Sequence, residues 1–444
     1  MVPYNTAITG VTPVSFLVPG LDDYIDLGRS YLQIELKLKT AATNGLAADA
    51  NSASDGTNTR FVYVTNNIGH GLFKQMKLKF NGRLMSEATD DYAYCALLET
   101  VMNYDEEEGK TTLASQGWVN DSLNVVETLE ASGTNDDKIT TATWAYNKDQ
   151  PLKDATKPFH GNKTVTLIVY PHLAPMRTGR LLVPGVELGL DLYLNKPDFY
   201  MFGTYANGTQ ASGGTKKYVT VGPNELKITL FLCRLTLNQS VYNTLQTRRR
   251  VKSRWANYPV VRTEIRTFSF DGNTTKFTQD NVFTGRVPDR VVIGLLDSKA
   301  YNGDLEYYPY AFQSFGATRI RQIIDGEEYP NVPLELNSSD ASKDFAGYHR
   351  FLQVCESIRG HKPNMVKPTE WGYQKNFTLF GFNNVPKGNA DTSSYRNPKQ
   401  GGNLRLELEF GSAPNKNVTV LVMGEFENVY QINDQGGVLY NVHP

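Results

Sequence analysis

Little in this sequence points to covalent or metal chemistry. Its three cysteines, Cys95, Cys233 and Cys355, are odd in number and widely spaced. That argues against a disulfide framework or a zinc site and favours folding in a reducing compartment. The six histidines (His70, His160, His172, His349, His361 and His443) show no metal-ligand spacing. No Gly-x-Ser-x-Gly elbow, phosphate-binding loop or dinucleotide fingerprint is present, so the common hydrolase and nucleotide-binding classes have no support. Long hydrophobic runs are missing too. Nothing approaches a membrane span, and Met1 to Phe16 has neither the basic start nor the apolar core of a signal peptide. Neither charge dominates: with 45 Lys and Arg against 46 Asp and Glu, no global field draws the chain to nucleic acid or an anionic membrane.

What is present is strand signal. Leu32, Ile34, Leu36 and Leu38 alternate with Gln33, Glu35, Lys37 and Lys39, giving one buried and one wet face. Met76 to Phe80 alternates likewise and runs into Asn81-Gly82, a pair that tolerates positive φ and closes a hairpin before Arg83-Leu84-Met85. Tyr92 to Met102 carries apolar residues three and four apart and predicts a helix, with Asp90 and Asp91 as caps. The run Asp105-Glu106-Glu107-Glu108 lacks the alternating spacing of a calcium loop and reads as a solvated surface. Further strands are expected at Val165 to Val169, Val186 to Leu194 and Leu226 to Leu232. Val291 to Leu296 is apolar throughout and predicts a strand buried on both faces. Arg319 to Ile324 closes through Asp325-Gly326, a second positive-φ pair. Residues 41–60, 109–160 and 203–216 are polar and poorly periodic, and are expected outside any core. The Asn-x-Ser/Thr triplets at Asn162, Asn207 and Asn376 read as chance without a secretory context.

The order of these signals repeats, which indicates an internal duplication. Strand, Asn81-Gly82 turn and Tyr92 to Met102 are echoed by strand, Asp325-Gly326 turn and Phe345 to Cys355. Val186 to Leu194 is echoed by Leu404 to Phe410, and Leu226 to Leu237 by Val418 to Met423. Two β units in tandem follow, joined between about 238 and 260. At that join Ser240 is expected to cap a short helix to about Gln246. Arg248, Arg249, Arg250, Lys252 and Arg254 then concentrate positive charge before Trp255 and Tyr258-Pro259 open the second unit. Clustered arginines suit phosphate, but no aromatics interleave with them, as single-strand binding would favour. The cluster reads as an inter-subunit or inner-surface contact. Glu407 and Glu409, two apart on one strand face, have the geometry of a glycosidase pair. Alternating with Leu406 and Leu408, they read instead as the wet face of an ordinary strand.

One stretch carries a resemblance. Phe277-x-x-Asp280-Asn281-x-Phe283-x-Gly285-x-x-Pro288-x-Arg290, the Val291 run, Ala300-Tyr301-Asn302-Gly303 and Tyr308-Pro309-Tyr310-Ala311-Phe312 resemble the second half of the double jelly-roll major capsid proteins of Polinton/Maverick elements and adintoviruses. The resemblance resumes at Gly402 to Leu408 and Gly424 to Val429, and more loosely at Leu72 to Tyr104. It implies an all-β chain of two tandem eight-stranded jelly-roll β-sandwiches with short helices and long surface loops. The N-terminal arm and first roll would span residues 1–240, a linker 241–258, and the second roll 259–444. It further implies a major capsid protein, not an enzyme and without a cofactor, that trimerises into pseudo-hexameric capsomers of an icosahedral shell. Its partners would be neighbouring capsomers and penton or minor capsid proteins, and its place the virion, assembled inside the host cell. Specific nucleic-acid recognition is not expected, and membrane contact is left open. A carbohydrate-binding or glycoside-hydrolase-type β-sandwich protein also fits the strands and aromatics, but explains neither the tandem order nor the Phe277 to Pro330 block.

Overall fold

In the computed structural model the described residues are 13–40, 59–86, 89–120, 155–159, 163–206, 221–251, 255–304, 307–336, 345–358, 364–369, 371–372, 377–385, 401–433 and 435–440. The first half forms β1 (Val14–Val18), β2 (Tyr24–Thr40), β3 (Thr59–Val64), β4 (Phe73–Phe80), β5 (Arg83–Leu84), β6 (Val165–Val169), β7 (Leu188–Leu194), β8 (Met201–Ala206) and β9 (Val221–Leu235). The second forms β10 (Ala256–Phe270), β11 (Lys276–Phe283), β12 (Arg290–Asp297), β13 (Ala317–Ile324), β14 (Glu327–Glu328), β15 (Leu334–Glu335), β16 (Leu379–Asn383), β17 (Leu404–Phe410), β18 (Val418–Ile432) and β19 (Val438–Tyr440). Helices are short: α1 (Ile68–Gly71), α2 (Tyr92–Asn103), α3 (Glu106–Lys110), α4 (Pro197–Tyr200), α5 (Gln239–Val251), α6 (Ser298–Asn302) and α7 (Phe345–Val354).

The second half is a complete sandwich. One sheet runs β10-β18-β12-β16 and the other β11-β17-β13-β14. Counted along the chain as eight strands, these are orders 1-8-3-6 and 2-7-4-5, the interlocked Greek keys of a jelly roll. The first half repeats the plan: β1-β7-β4-β5 matches 2-7-4-5, and β6-β2-β9 matches 6-3-8. A counterpart of β10 is not among the described residues. In both halves a helix, α2 or α7, follows the short hairpin strand.

Local sequence explains the elements. Leu32, Ile34, Leu36 and Leu38 are fully buried while their neighbours face outward, as period-two alternation requires. Asn81 and Gly82 have φ of 48° and 78°, and Asp325 and Gly326 of 49° and 86°, the paired positive values of a two-residue hairpin turn. All eight residues of β12 are buried. Within it Gly294 leaves room for a neighbouring ring, because a Cβ there would lie 2.4 Å from Cδ1 of Phe312 and something would have to shift. Each fully buried aliphatic or aromatic side chain contributes about 1.5–3 kcal/mol.

Four expectations need correction. Asp91 precedes α2 without capping it by its side chain, and accepts instead from the Tyr301 hydroxyl at 2.8 Å. The segment 109–160 is not wholly outside the core, because Leu113, Trp118 and Phe159 are buried. Compact turns, such as the 3₁₀ turn Leu113–Gln116, aim scattered apolar residues inward without producing a periodic pattern. Residues 59–60 and 203–206 are strand, since β3 and β8 pair with each other, and short strands take their stability from such pairing. The remainder of these segments, 41–58, 121–154, 160 and 207–216, lies outside the described residues. Finally, α5 (Gln239–Val251) is capped by Asn238 and not by Ser240: the Asn238 side chain accepts from the Ser240 amide at 3.1 Å. It runs on through positions 248–250, because nothing between Gln246 and Val251 breaks a helix.

Candidate functional site

The feature that sets this chain apart from two separate sandwiches is the seam between its rolls. Strands β10 and β18 pair along fifteen residues. Their outer halves, with β19, form a ribbon that lies against the first roll. Tyr258 in β10 donates to the Leu181 carbonyl and accepts from the Val183 amide, both at 3.1 Å. Its ring stacks on Tyr430 at 4.5 Å, and Tyr430 meets Phe80 of the first roll at 5.8 Å. Arg83, just past the first hairpin turn, donates to the carbonyls of Val438 and Tyr440 at 2.7 and 2.9 Å. Tyr258, expected to open the second roll, thus also binds the first.

Of the two predicted turns, the structure brings one to this seam. The Asn81 amide donates to the Gly436 carbonyl at 2.5 Å. Asp325 stays within the second roll, accepting from the Asn403 amide at 2.8 Å. The basic cluster is placed in part: positions 248–250 occupy the last turns of α5, while Lys252 and Arg254 lie outside the described residues.

At the centre of the seam is a polar network that sequence reasoning missed. Glu99, in α2, is 1% exposed. One oxygen accepts from Arg177 at 2.7 Å and from the Thr263 hydroxyl of β10 at 2.9 Å, and the other lies 2.7 Å from His172 Nδ1. Burial pushes its carboxyl up, but Arg177, His172 and Thr263 outweigh burial and leave it at about 2. Behind it sits His70, with Nε2 at 3.1 Å from the Gln116 carbonyl oxygen and Nδ1 at 2.9 Å from the Tyr92 hydroxyl. The Gln116 oxygen can only accept, so a neutral His70 carries its proton on Nε2, and Nδ1 accepts from the Tyr92 hydroxyl, which itself accepts from the His172 amide. Burial, then His172, holds His70 down to about 3. The sequence signal was a glutamate inside a buried stretch, Leu97-Leu98-Glu99-Thr100-Val101.

Other carboxylates are tied up structurally. Arg290 and Glu425, buried cross-strand partners, form a two-pronged pair at 2.9 and 2.7 Å, and Arg290 also donates to the Val354 carbonyl ending α7. Glu407 was expected on a wet face but is 5% exposed. Arg321 at 2.5 Å and Arg405 at 2.6 Å enclose it, and Lys276, Arg319 and Arg321 surround Glu409. The pair is locked in a cross-strand ion lattice. Among the described residues no group of three or more His, Cys, Asp or Glu side chains is arranged to hold a metal ion. On the outer face of β6-β2-β9, Tyr31 stacks parallel to Phe231 at 4.9 Å and meets Tyr170 at 5.7 Å.

No family model matches the chain. It is 24% identical over 419 residues to uncharacterised protein F54H12.2 of Caenorhabditis elegans, covering 92% of this chain and 88% of that protein. Its fold is similar to that of the mavirus major capsid protein, with a TM-score of 0.56 and 11% identity over 99% of this chain and 88% of the other. A chain of the Sputnik virophage aligns with a TM-score of 0.61 and 10% identity, over 100% and 88%. The fold is therefore the double jelly roll of viral major capsid proteins.

Proposed function

We propose that this protein is a major capsid protein of the Polinton/adintovirus type, a structural subunit and not a catalyst. The observation that carries the reading is the duplicated jelly roll fused along an extensive seam. Two like rolls fixed side by side supply two corners of a hexagonal block, and a threefold axis supplies the rest. The subunit would thus form a homotrimer, pack against neighbouring capsomers and penton or minor capsid proteins, and reside in the virion. The rolls would divide as residues 1–240 and 259–444, with 241–258 as linker and its basic cluster at an inter-subunit or inner surface. The ribbon face turned away from the first roll carries Val261, Val429 and Leu439, 37%, 43% and 38% exposed, and is the face we assign to a neighbouring subunit. The carbohydrate-binding alternative is disfavoured, because the Tyr31 and Phe231 rings cover each other instead of turning their faces to a sugar. Light scattering of the purified protein should give three times 49.6 kDa. A monomer at micromolar concentration and physiological salt would refute the reading.

A further inference from the structure

From Leu226 to Thr263 the chain has no Asp or Glu in 38 residues, yet carries eight Lys and Arg. At the middle of this stretch lies α5. Its described side chains are exposed except Tyr242 and Gln246, which are half-buried, and Tyr242 meets the edge of Tyr24 at 6.4 Å. The helix is therefore held to the surface by one side. On the adjoining side Val241 is 50% and Leu245 36% exposed. They stand four apart, and position 248 continues their stripe. Arg249 and Arg250 come next in the sequence, and Trp255, 41% exposed, follows the basic run.

The helix dipole accounts for cations at the C-terminal end, but not for exposed aliphatics beside them. A nucleic-acid backbone rewards the cations alone. An anionic bilayer rewards both, because apolar side chains enter the headgroup boundary while Arg and Lys are drawn to the charged surface, with Trp suited to the interface. We infer that the exposed face of α5 is a docking surface for an anionic lipid membrane. Charge concentrated in one helix lets an almost neutral subunit bind such a surface in a fixed orientation.

The test is cosedimentation of the full chain with phosphatidylcholine vesicles, with and without phosphatidylserine, alongside retention on a double-stranded DNA fragment. Binding should require phosphatidylserine and fall as salt is raised. It should weaken on the order of a hundredfold in R248S/R249S/R250S, and several-fold in V241S/L245S, with thermal melting of both variants unchanged. Absence of binding to phosphatidylserine vesicles at low salt overturns the inference. So does vesicle binding that both variants retain. DNA retention lost only in the arginine variant, without vesicle binding, overturns it in favour of nucleic acid.

Discussion

Asn81 in the first roll and Asp325 in the second are structural counterparts. Each donates its backbone N–H to the residue just before the neighbouring long strand, Glu187 at 2.9 Å and Asn403 at 3.1 Å. Each accepts that residue's amide on its side-chain oxygen, at 2.7 and 2.8 Å. The duplication thus extends to single hydrogen bonds. The counterparts differ in one respect: Asn81 also has an NH₂ group, and it donates to Gly436 across the seam, which an aspartate cannot do.

Replacing Asn81 with Asp should keep the turn, lose the bond to Gly436 and set a carboxylate against a carbonyl. We expect a loss of about 1–2 kcal/mol. D325N, which leaves its acceptor in place, should change stability by less than about 0.5 kcal/mol. Equal urea midpoints for wild type and N81D would show that the seam bond contributes nothing.

Glu99 should be costly to neutralise. Glu99→Gln leaves Arg177 without its carboxylate and disturbs His172 and Thr263, with an expected loss of about 3 kcal/mol. Thr263→Val removes only the bond from the second roll and should cost about 1 kcal/mol. Chemical denaturation of both variants measures the difference.

Acid should act on the seam in two windows. His70 ionises at about 3 in the folded protein against an ordinary 6.5. The unfolded chain therefore takes up that proton first, and stability is full above pH 6.5 and falls below it. The Glu99 contribution is intact above the ordinary 4.5 and is lost only as pH falls toward about 2. Between pH 6.5 and 4.5 the slope from these two groups belongs to His70, about 1.4 kcal/mol per pH unit. His70→Gln should flatten the profile there, as read from denaturation midpoints at pH 7 and pH 5.

Gly294→Ala should destabilise by about 1–3 kcal/mol through overpacking against Phe312. Thermal melting checks it, and a melting temperature at or above wild type would mean that the ring moves aside freely.

Strands and hairpins were legible because their signals are local. Alternation in Leu32 to Leu38, the apolar run in β12 and the two positive-φ pairs each fix geometry within a few residues. The tandem order made the duplication legible as well. The seam was not. Glu99, the His172–Arg177 segment and Thr263 are far apart in the chain, and only the folding of the first roll and the packing of the second against it make them neighbours. Glu407 misled for a related reason, since it is covered by Arg321 and Lys276 of the neighbouring strands together with Arg405 of its own, which its own alternation does not reveal. Trp118 and Phe159 were hidden because irregular turns bury residues without a period.

The ribbon of β10, β18 and β19 changes what the helix between the rolls is for. Tyr258, Tyr430, Arg83 and Asn81 join the rolls through contacts that do not involve α5. The covalent link is left with a different duty, stoichiometry: each ribosome pass delivers one first roll for every second roll.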